Sequence, residues 1–181
     1  MKTLIVIDMQ TDFIDGALGT KEAVKIVPNV VKKIKAYVKN GDRVIFTQDT
    51  HKKNYMKTRE GKYLPVPHCI KGEKGWEIPE KIRNAADADA LVICKPAFGY
   101  NGWKNVLKGE SDSVELIGLC TDICVVSNAL SIKNLFPERD VKVDCACCAG
   151  VTPASHDAAL LTMKMCQIDL LHEGKEPWRK A

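Results

Sequence analysis

Apolar residues gather in short, near-continuous runs at Leu4 to Ile7, Val44 to Phe46, Leu91 to Cys94, Val114 to Leu119, Val141 to Cys147 and Ile168 to Leu171. Runs of this length mark strands covered on both faces, because a half-solvated strand would alternate with polar residues. Between the first two runs, Ala23, Val27, Val30, Ile34 and Val38 recur at helical spacing and stop at Asn40-Gly41, a pair suited to ending a helix. Ile123 to Phe136 and Ala154 to Cys166 carry further helical patterns. Strands alternating with helices predict an α/β fold, one domain over residues 1–181 with a doubly wound, six-stranded, mainly parallel sheet and helices on both faces. Ligands of such sheets bind beyond the carboxyl ends of the strands. The lysines of the 21–39 helix are expected to form a solvated face. The segment from Thr50 to Gly75, broken by Gly61, Pro65, Pro67, Gly72 and Gly75, is expected to be a long structureless loop, functional or disordered.

Composition narrows the function classes. The 181 residues carry 27 Lys plus Arg against 23 Asp plus Glu, a formal charge of +4, and the basic residues are scattered. Nucleic-acid binders concentrate them on one face with aromatics between, so neither nucleic acid nor a membrane surface is an expected partner. No stretch reaches the roughly 18 consecutive apolar residues of a membrane span, and no signal-peptide pattern precedes Thr3, so the expected location is cytoplasmic. Eight cysteines in a reducing compartment are expected as thiols, most of them small core residues. A chain of this length needs no metal to fold, so any cluster of metal ligands calls for a different reason.

Three strand ends carry capable groups: Asp8, Lys95 and Cys124, the last in Gly118-Leu-Cys-Thr-Asp-Ile-Cys-Val125 where a strand gives way to a helix. A reactive cysteine needs a base or a positive field to form thiolate, and the first turn of a helix offers free N–H groups to a developing oxyanion. Taken singly, Asp8 reads equally as a helix cap, Lys95 as a surface charge and Cys124 as a buried structural thiol. Together they would supply a base, an electrostatic activator and a nucleophile.

The pattern Ile7-Asp-Met-Gln-Thr-Asp-Phe13, Lys95 after a strand, and the Gly118 to Val125 segment resemble the isochorismatase-like cysteine hydrolases in order and spacing over nearly the whole chain. The resemblance implies Asp8 as general base, Lys95 as the group stabilising thiolate and oxyanion, and Cys124 as a nucleophile that forms a covalent acyl intermediate. It also implies a cis peptide at Leu119-Cys120, and an oxyanion hole made by the N–H groups of Cys120 and Cys124.

Asp49-Thr-His51 places two ligand-capable side chains two residues apart at a strand end, where extended chain points both the same way. His68 and Glu60 lie on the loop that follows. Carboxylate and imidazole together suit Zn, Fe(II) or Mn(II) in a site that keeps open positions. Asp49-x-His51 with Pro67-His68-Cys69-Ile-Lys-Gly72 resembles the metal-binding segment of the nicotinamidases of this superfamily. That resemblance implies one divalent metal, zinc first with iron or manganese as alternatives, held by Asp49, His51 and His68, with Glu60 as the additional carboxylate that some members carry. Many nicotinamidases have a small hydroxyl residue after the loop glycine, whereas this chain has Glu73. Phe13 and Leu18 match positions that wall the family's ring pocket, and Phe98 or Tyr100 would add a second wall.

The run Asp144-Cys-Ala-Cys-Cys148 continues a strand, so its thiols are expected on opposite faces and not as a soft-metal site. His156 and His172 have no ligand-spaced partner and read as structural. The resemblance therefore implies a metal-dependent hydrolase acting on a small carboxamide, nicotinamide to nicotinate and ammonia, in a homo-oligomer. The alternatives are another amidase or carbamoyl hydrolase of the superfamily, or a catalytically silent metal-binding or thiol-sensing protein.

Overall fold

The computed structural model describes residues 1–109 and 113–179. In chain order the elements are β1 (Lys2–Ile7), α1 (Thr11–Ile14), α2 (Lys21–Lys39), β2 (Arg43–Asp49), α3 (Arg59–Tyr63), α4 (Glu80–Arg83), β3 (Leu91–Lys95), α5 (Trp103–Val106), β4 (Ser113–Leu119), α6 (Val126–Leu135), β5 (Asp140–Ala149), α7 (Pro153–Met165) and β6 (Asp169–Leu171). The six strands form one sheet in the order β3-β2-β1-β4-β5-β6, and every pairing is parallel. The chain builds outward from β1 through β2 to β3, then returns to the other side of β1 with β4. That reversal opens a crevice beyond the carboxyl ends of β1 and β4, the place where open α/β sheets bind ligands.

The near-continuous apolar runs are explained by two cores. Leu4, Val6 and Phe46 pack on one face under Ile26, Val30 and Ile34 of α2. Ile5, Ile7 and Ile45 pack on the other with Trp103, Ile132 and Leu160. Successive residues of a strand point to opposite faces, so a strand between two cores is apolar at most positions and not only at alternate ones. Helix α2 starts where the Thr20 hydroxyl accepts the Ala23 N–H and ends at Asn40, followed by Gly41 at φ +71°, as the periodicity predicts. Among the described residues no helix is long and apolar enough to cross a membrane.

Two expectations need correction. The 50–75 segment is ordered: His51 pairs with Ile70 in a parallel bridge, and the stretch holds α3 and two single 3-10 turns, Tyr55–Lys57 and Lys74–Trp76. The lysine face of α2 is not wholly solvated, because Lys33 turns inward and pairs with Glu115 and Asp144, each at 2.7 Å. The thiols of β5 lie on opposite faces as expected, although the alternation breaks where the register slips between Leu116 and Gly118 of β4. Cys145 and Cys148 thus join one core and Cys147 the other, all as free thiols. Two further cysteines, Cys94 and Cys166, are exposed.

Candidate active site and metal cluster

Asp8 follows β1 directly and is fully buried, with a left-handed backbone at φ 46°. Thr47 of β2 fixes it twice: the hydroxyl donates to Asp8 Oδ1 at 2.7 Å and accepts the Asp8 N–H at 3.2 Å. Lys95 is the last residue of β3, and its ammonium reaches past the end of β2 to Asp8 Oδ2 at 2.6 Å. The same Nζ donates to the Ala97 carbonyl at 3.0 Å and to Cys124 Sγ at 3.6 Å. Cys124 lies in the widened turn Thr121–Val125 that leads into α6, and it is buried. The readings of Lys95 as a surface charge and Asp8 as a helix cap are therefore excluded by burial and by this contact.

Electrostatics give the three groups distinct states. Burial raises the Asp8 pKa, against the pull of Lys95. Burial raises the Cys124 thiol well above its ordinary value, the Asp8 charge adds to this, and Lys95 opposes it. A hydrogen bond to Asp8 also holds the proton on Cys124. Burial works against the Lys95 charge, but Asp8, Cys124 and Asp49 more than reverse it. Cys124 is thus held as a thiol beside Asp8, under a fixed ammonium. Proton transfer from sulfur to carboxylate needs no third group to move, and the ammonium stabilises whichever of the two is negative.

A second cluster adjoins the first. One ligand atom each from Asp49, His51 and His68 lies within 4.8 Å of the others. His51 Nε2 stands 2.9 Å from Asp49 Oδ2 and 3.6 Å from Glu60 Oε1, while His68 Nε2 stands 3.7 Å from each of these carboxylates. The four residues expected from the sequence are therefore together. His51 Nε2 is buried without a hydrogen-bond partner in the described structure, and burial raises the Glu60 pKa, with Asp49 adding to it. An orphaned ring nitrogen and two crowded carboxylates fit a divalent cation, which would take a lone pair and relieve the repulsion. His68 Nδ1 contacts the Val66 carbonyl at 2.9 Å, which turns Nε2 toward the cluster as metal-binding histidines require.

The expected pocket residues are placed unevenly. The Phe13 ring lies 5.5 Å from the His68 ring, and Leu18 packs on the same core. Phe98 is 47% exposed, and Tyr100 sets its ring edge-on against Trp103 at 5.2 Å. A cavity of about 250 Å³, lined by Thr50, His51, Lys52, Lys71, Cys94, Lys95 and Pro96, touches one residue of each cluster, His51 and Lys95. The Leu119-Cys120 peptide is cis, as the resemblance implies.

Several residues that hold this geometry were not singled out from the sequence. Gln10 is buried and binds Asp49 on both backbone sides, accepting its N–H at 2.7 Å and donating to its carbonyl at 2.9 Å. Asp12 accepts the Cys69 N–H at 2.8 Å and so anchors the loop that carries His68. Both lie inside the Ile7 to Phe13 motif, and Thr47 sits two residues before Asp49 on the same face, so spacing offered a signal for all three. Tyr55, which packs edge-on against His51 and His68, offered none.

A thiol, a carboxylate and an ammonium meeting at the switch point of a parallel sheet define an α/β protein with the parts of a cysteine hydrolase. The chain belongs to the isochorismatase family, whose model, Isochorismatase domain, matches residues 2–172. It is 26% identical over 189 residues to the nicotinamidase/pyrazinamidase of Mycobacterium tuberculosis, covering 94% of this chain and 98% of that protein. Among solved structures it resembles the pyrazinamidase of Pyrococcus horikoshii in complex with zinc, with a TM-score of 0.81 and 28% identity over 94% of this chain and 98% of that one. It also resembles the N-carbamoylsarcosine amidase of Thermoplasma acidophilum, with a TM-score of 0.77 and 28% identity over 94% of this chain and 96% of that one.

Proposed function

We propose that this chain is a metal-dependent nicotinamidase, hydrolysing nicotinamide to nicotinate and ammonia. The observation that carries the reading is the direct adjoining of the two clusters through Lys95 Nζ, which lies 2.6 Å from Asp8 and 3.9 Å from Asp49. A carboxamide carbon can thus face the thiol while the ring to which it is attached faces Asp49, His51, His68 and Glu60. A divalent cation held by those residues, zinc in the first instance, supplies a Lewis-acidic anchor for a pyridine nitrogen.

Asp8 takes the Cys124 proton as Sγ bonds to the amide carbon, and the carbonyl electron pair moves to oxygen. Lys95 and the Cys120 and Cys124 N–H groups stabilise that oxyanion. As the carbon–nitrogen bond breaks, Asp8 gives its proton to the departing nitrogen and ammonia leaves a thioester. Water then loses a proton to Asp8 and attacks the thioester, and the proton returns to Sγ as nicotinate departs. The buried carboxylate acts as base and acid in turn, which suits its raised pKa. The reading carries with it a cytoplasmic setting and a homo-oligomeric assembly.

The test is ammonia release from nicotinamide by the purified protein, before and after chelation and reloading, with Cys124→Ala as control. Activity lost with the chelator and with the variant is the expected result. A protein that binds metal stoichiometrically yet leaves nicotinamide untouched overturns the substrate assignment. The resemblance to the N-carbamoylsarcosine amidase makes carbamoyl compounds the next panel.

A further inference from the structure

Behind the nucleophile turn lies a buried chain of groups that the proposed mechanism does not use. His156 of α7 has no exposed surface, and its Nδ1 lies 2.8 Å from the Thr121 hydroxyl. Its Nε2 lies 3.3 Å from Glu176 Oε1, and both Thr121 and Glu176 are likewise fully buried. A carboxylate only accepts, so Nε2 carries the ring proton toward Glu176 and Nδ1 is left to accept the Thr121 O–H. Burial holds the His156 pKa below its ordinary value against the pull of Glu176, which keeps the ring neutral and this direction fixed.

The far end of the chain is clasped. Arg179 pairs with Glu176 and with Asp157 of α7. The Trp178 indole donates to the Cys148 carbonyl at 3.3 Å and stands edge-on to the His156 ring at 5.0 Å. Glu176, Trp178 and Arg179 all lie beyond the 2–172 stretch that the family model matches. The near end is the turn itself. Thr121 follows Cys120, whose carbonyl accepts the N–H groups of Ile123 at 3.1 Å and Val125 at 3.0 Å. Cys124 lies between those two residues, so the orientation of Thr121 is passed to it through a single hydrogen-bonded turn.

We propose that Glu176, His156 and Thr121 form a positioning relay that aims the Cys120–Cys124 turn, and with it the Cys124 thiol, at the substrate carbonyl. None of the three touches the reacting atoms, so they are positioning residues. The inference rests on the reading of Cys124 as a nucleophile, and a structural clasp without positioning is the competing account.

The experiment compares Thr121→Val with Thr121→Ser, and Glu176→Leu with Glu176→Gln, in the metal-loaded full chain. Three quantities are read: kcat and KM for nicotinamide, the melting temperature, and the iodoacetamide alkylation rate of Cys124 by peptide mass spectrometry. Thr121→Val and Glu176→Leu should lower kcat about tenfold or more with KM within about twofold, while Ser and Gln recover most of it. The alkylation rate should shift in the same two variants and return in the conservative ones. Variants that lose only melting temperature, with wild-type kcat and alkylation, overturn the relay. If even the wild type leaves nicotinamide untouched, the substrate reading fails and alkylation alone decides, equal rates overturning the relay and a shift that Ser reverses supporting it. Should Thr121→Val fail to fold, the Glu176 pair carries the same comparison.

Discussion

Asn128 joins the two halves of the proposed catalytic site, and removing its side chain should cost more stability than most single substitutions. It lies one helical turn after Cys124 and is fully buried. Its Nδ2 donates to the Cys124 carbonyl at 2.7 Å and to the Phe98 carbonyl at 3.0 Å. Its Oδ1 accepts the Tyr100 N–H at 2.9 Å and the Trp103 indole N–H at 2.8 Å. Both donors and both acceptor sites of the amide are thus used, tying the Cys124 turn and its helix to the loop that follows Lys95. In Asn128→Ala these partners lose their bonds in a dry interior, where each unsatisfied group costs about 1–3 kcal/mol. Because the Cys124 carbonyl also lies in a helical turn and water can enter part of the space, the sum should be about 4 kcal/mol rather than the full total. For a chain of this size that corresponds to a fall in melting temperature of roughly 8–16 °C. Urea unfolding followed by circular dichroism measures the free energy directly. A loss below about 1 kcal/mol would refute the reasoning, since water would then be replacing all four bonds. The kinetic consequence is separate: with the 96–103 loop released from α6, the 3.6 Å contact between Lys95 and Cys124 loosens and kcat falls in the folded fraction.

Other outcomes follow from the same contacts. His51→Ala removes the orphaned ring nitrogen, so metal per chain measured by elemental analysis should drop tenfold or more in affinity terms, while the fold, which needs no metal, keeps its circular dichroism. Lys33→Met leaves Glu115 and Asp144 buried without their shared cation, and unfolding should show a loss of about 3 kcal/mol; an unchanged stability would mean that water reaches both carboxylates. The His156 pKa lies below its ordinary 6.5 in the folded chain, so between the two values the unfolded chain binds more protons. Its contribution is complete above that ordinary value and is lost as pH falls below it, so the melting temperature should drop from pH 7.5 to 5.5 by less in His156→Gln than in the wild type.

How much the sequence reveals depends on whether a residue acts within one element or between elements. The strands are legible because those in the middle of the sheet lie between two cores and are apolar at most positions, and the shorter edge strands β3 and β6 keep enough of the same bias to show. Helix α2 is legible from its period and its ends. The 50–75 segment is misread because its order comes from partners far along the chain: Asp12 on the Cys69 N–H, Gln10 and Gln48 on the Trp76 carbonyl, and the bridge between His51 and Ile70. Glycine and proline mark breaks in local structure, but they say nothing about what a loop is pinned to. Lys33 is misread for the same reason, since nothing within α2 shows that Glu115 and Asp144 wait beneath it. Asp49 and His51 were legible as a spacing, and His68 and Glu60 through the family resemblance, yet the orphaned nitrogen that marks a candidate site exists only once β2 and the loop are folded together.

Topology also explains why a lysine, rather than a shorter cation, stands at the end of β3. In the order β3-β2-β1, Lys95 and Asp8 are two strand widths apart, roughly 10 Å. A four-carbon stem can span most of that distance and deliver an ammonium to the carboxylate beyond. Asp49 ends the strand in between, so the same ammonium must pass close to it, and it does so at 3.9 Å. The coupling between the Cys124 cluster and the candidate metal cluster is therefore a consequence of strand order: any cation that reaches Asp8 from β3 crosses the end of β2 on the way. His51 follows Asp49 by two residues on the same outgoing chain, which puts the metal cluster on the far side of that crossing. A substrate long enough to touch both must lie across the carboxyl ends of β2 and β1, with its reactive carbon toward the switch point and its other end over β2.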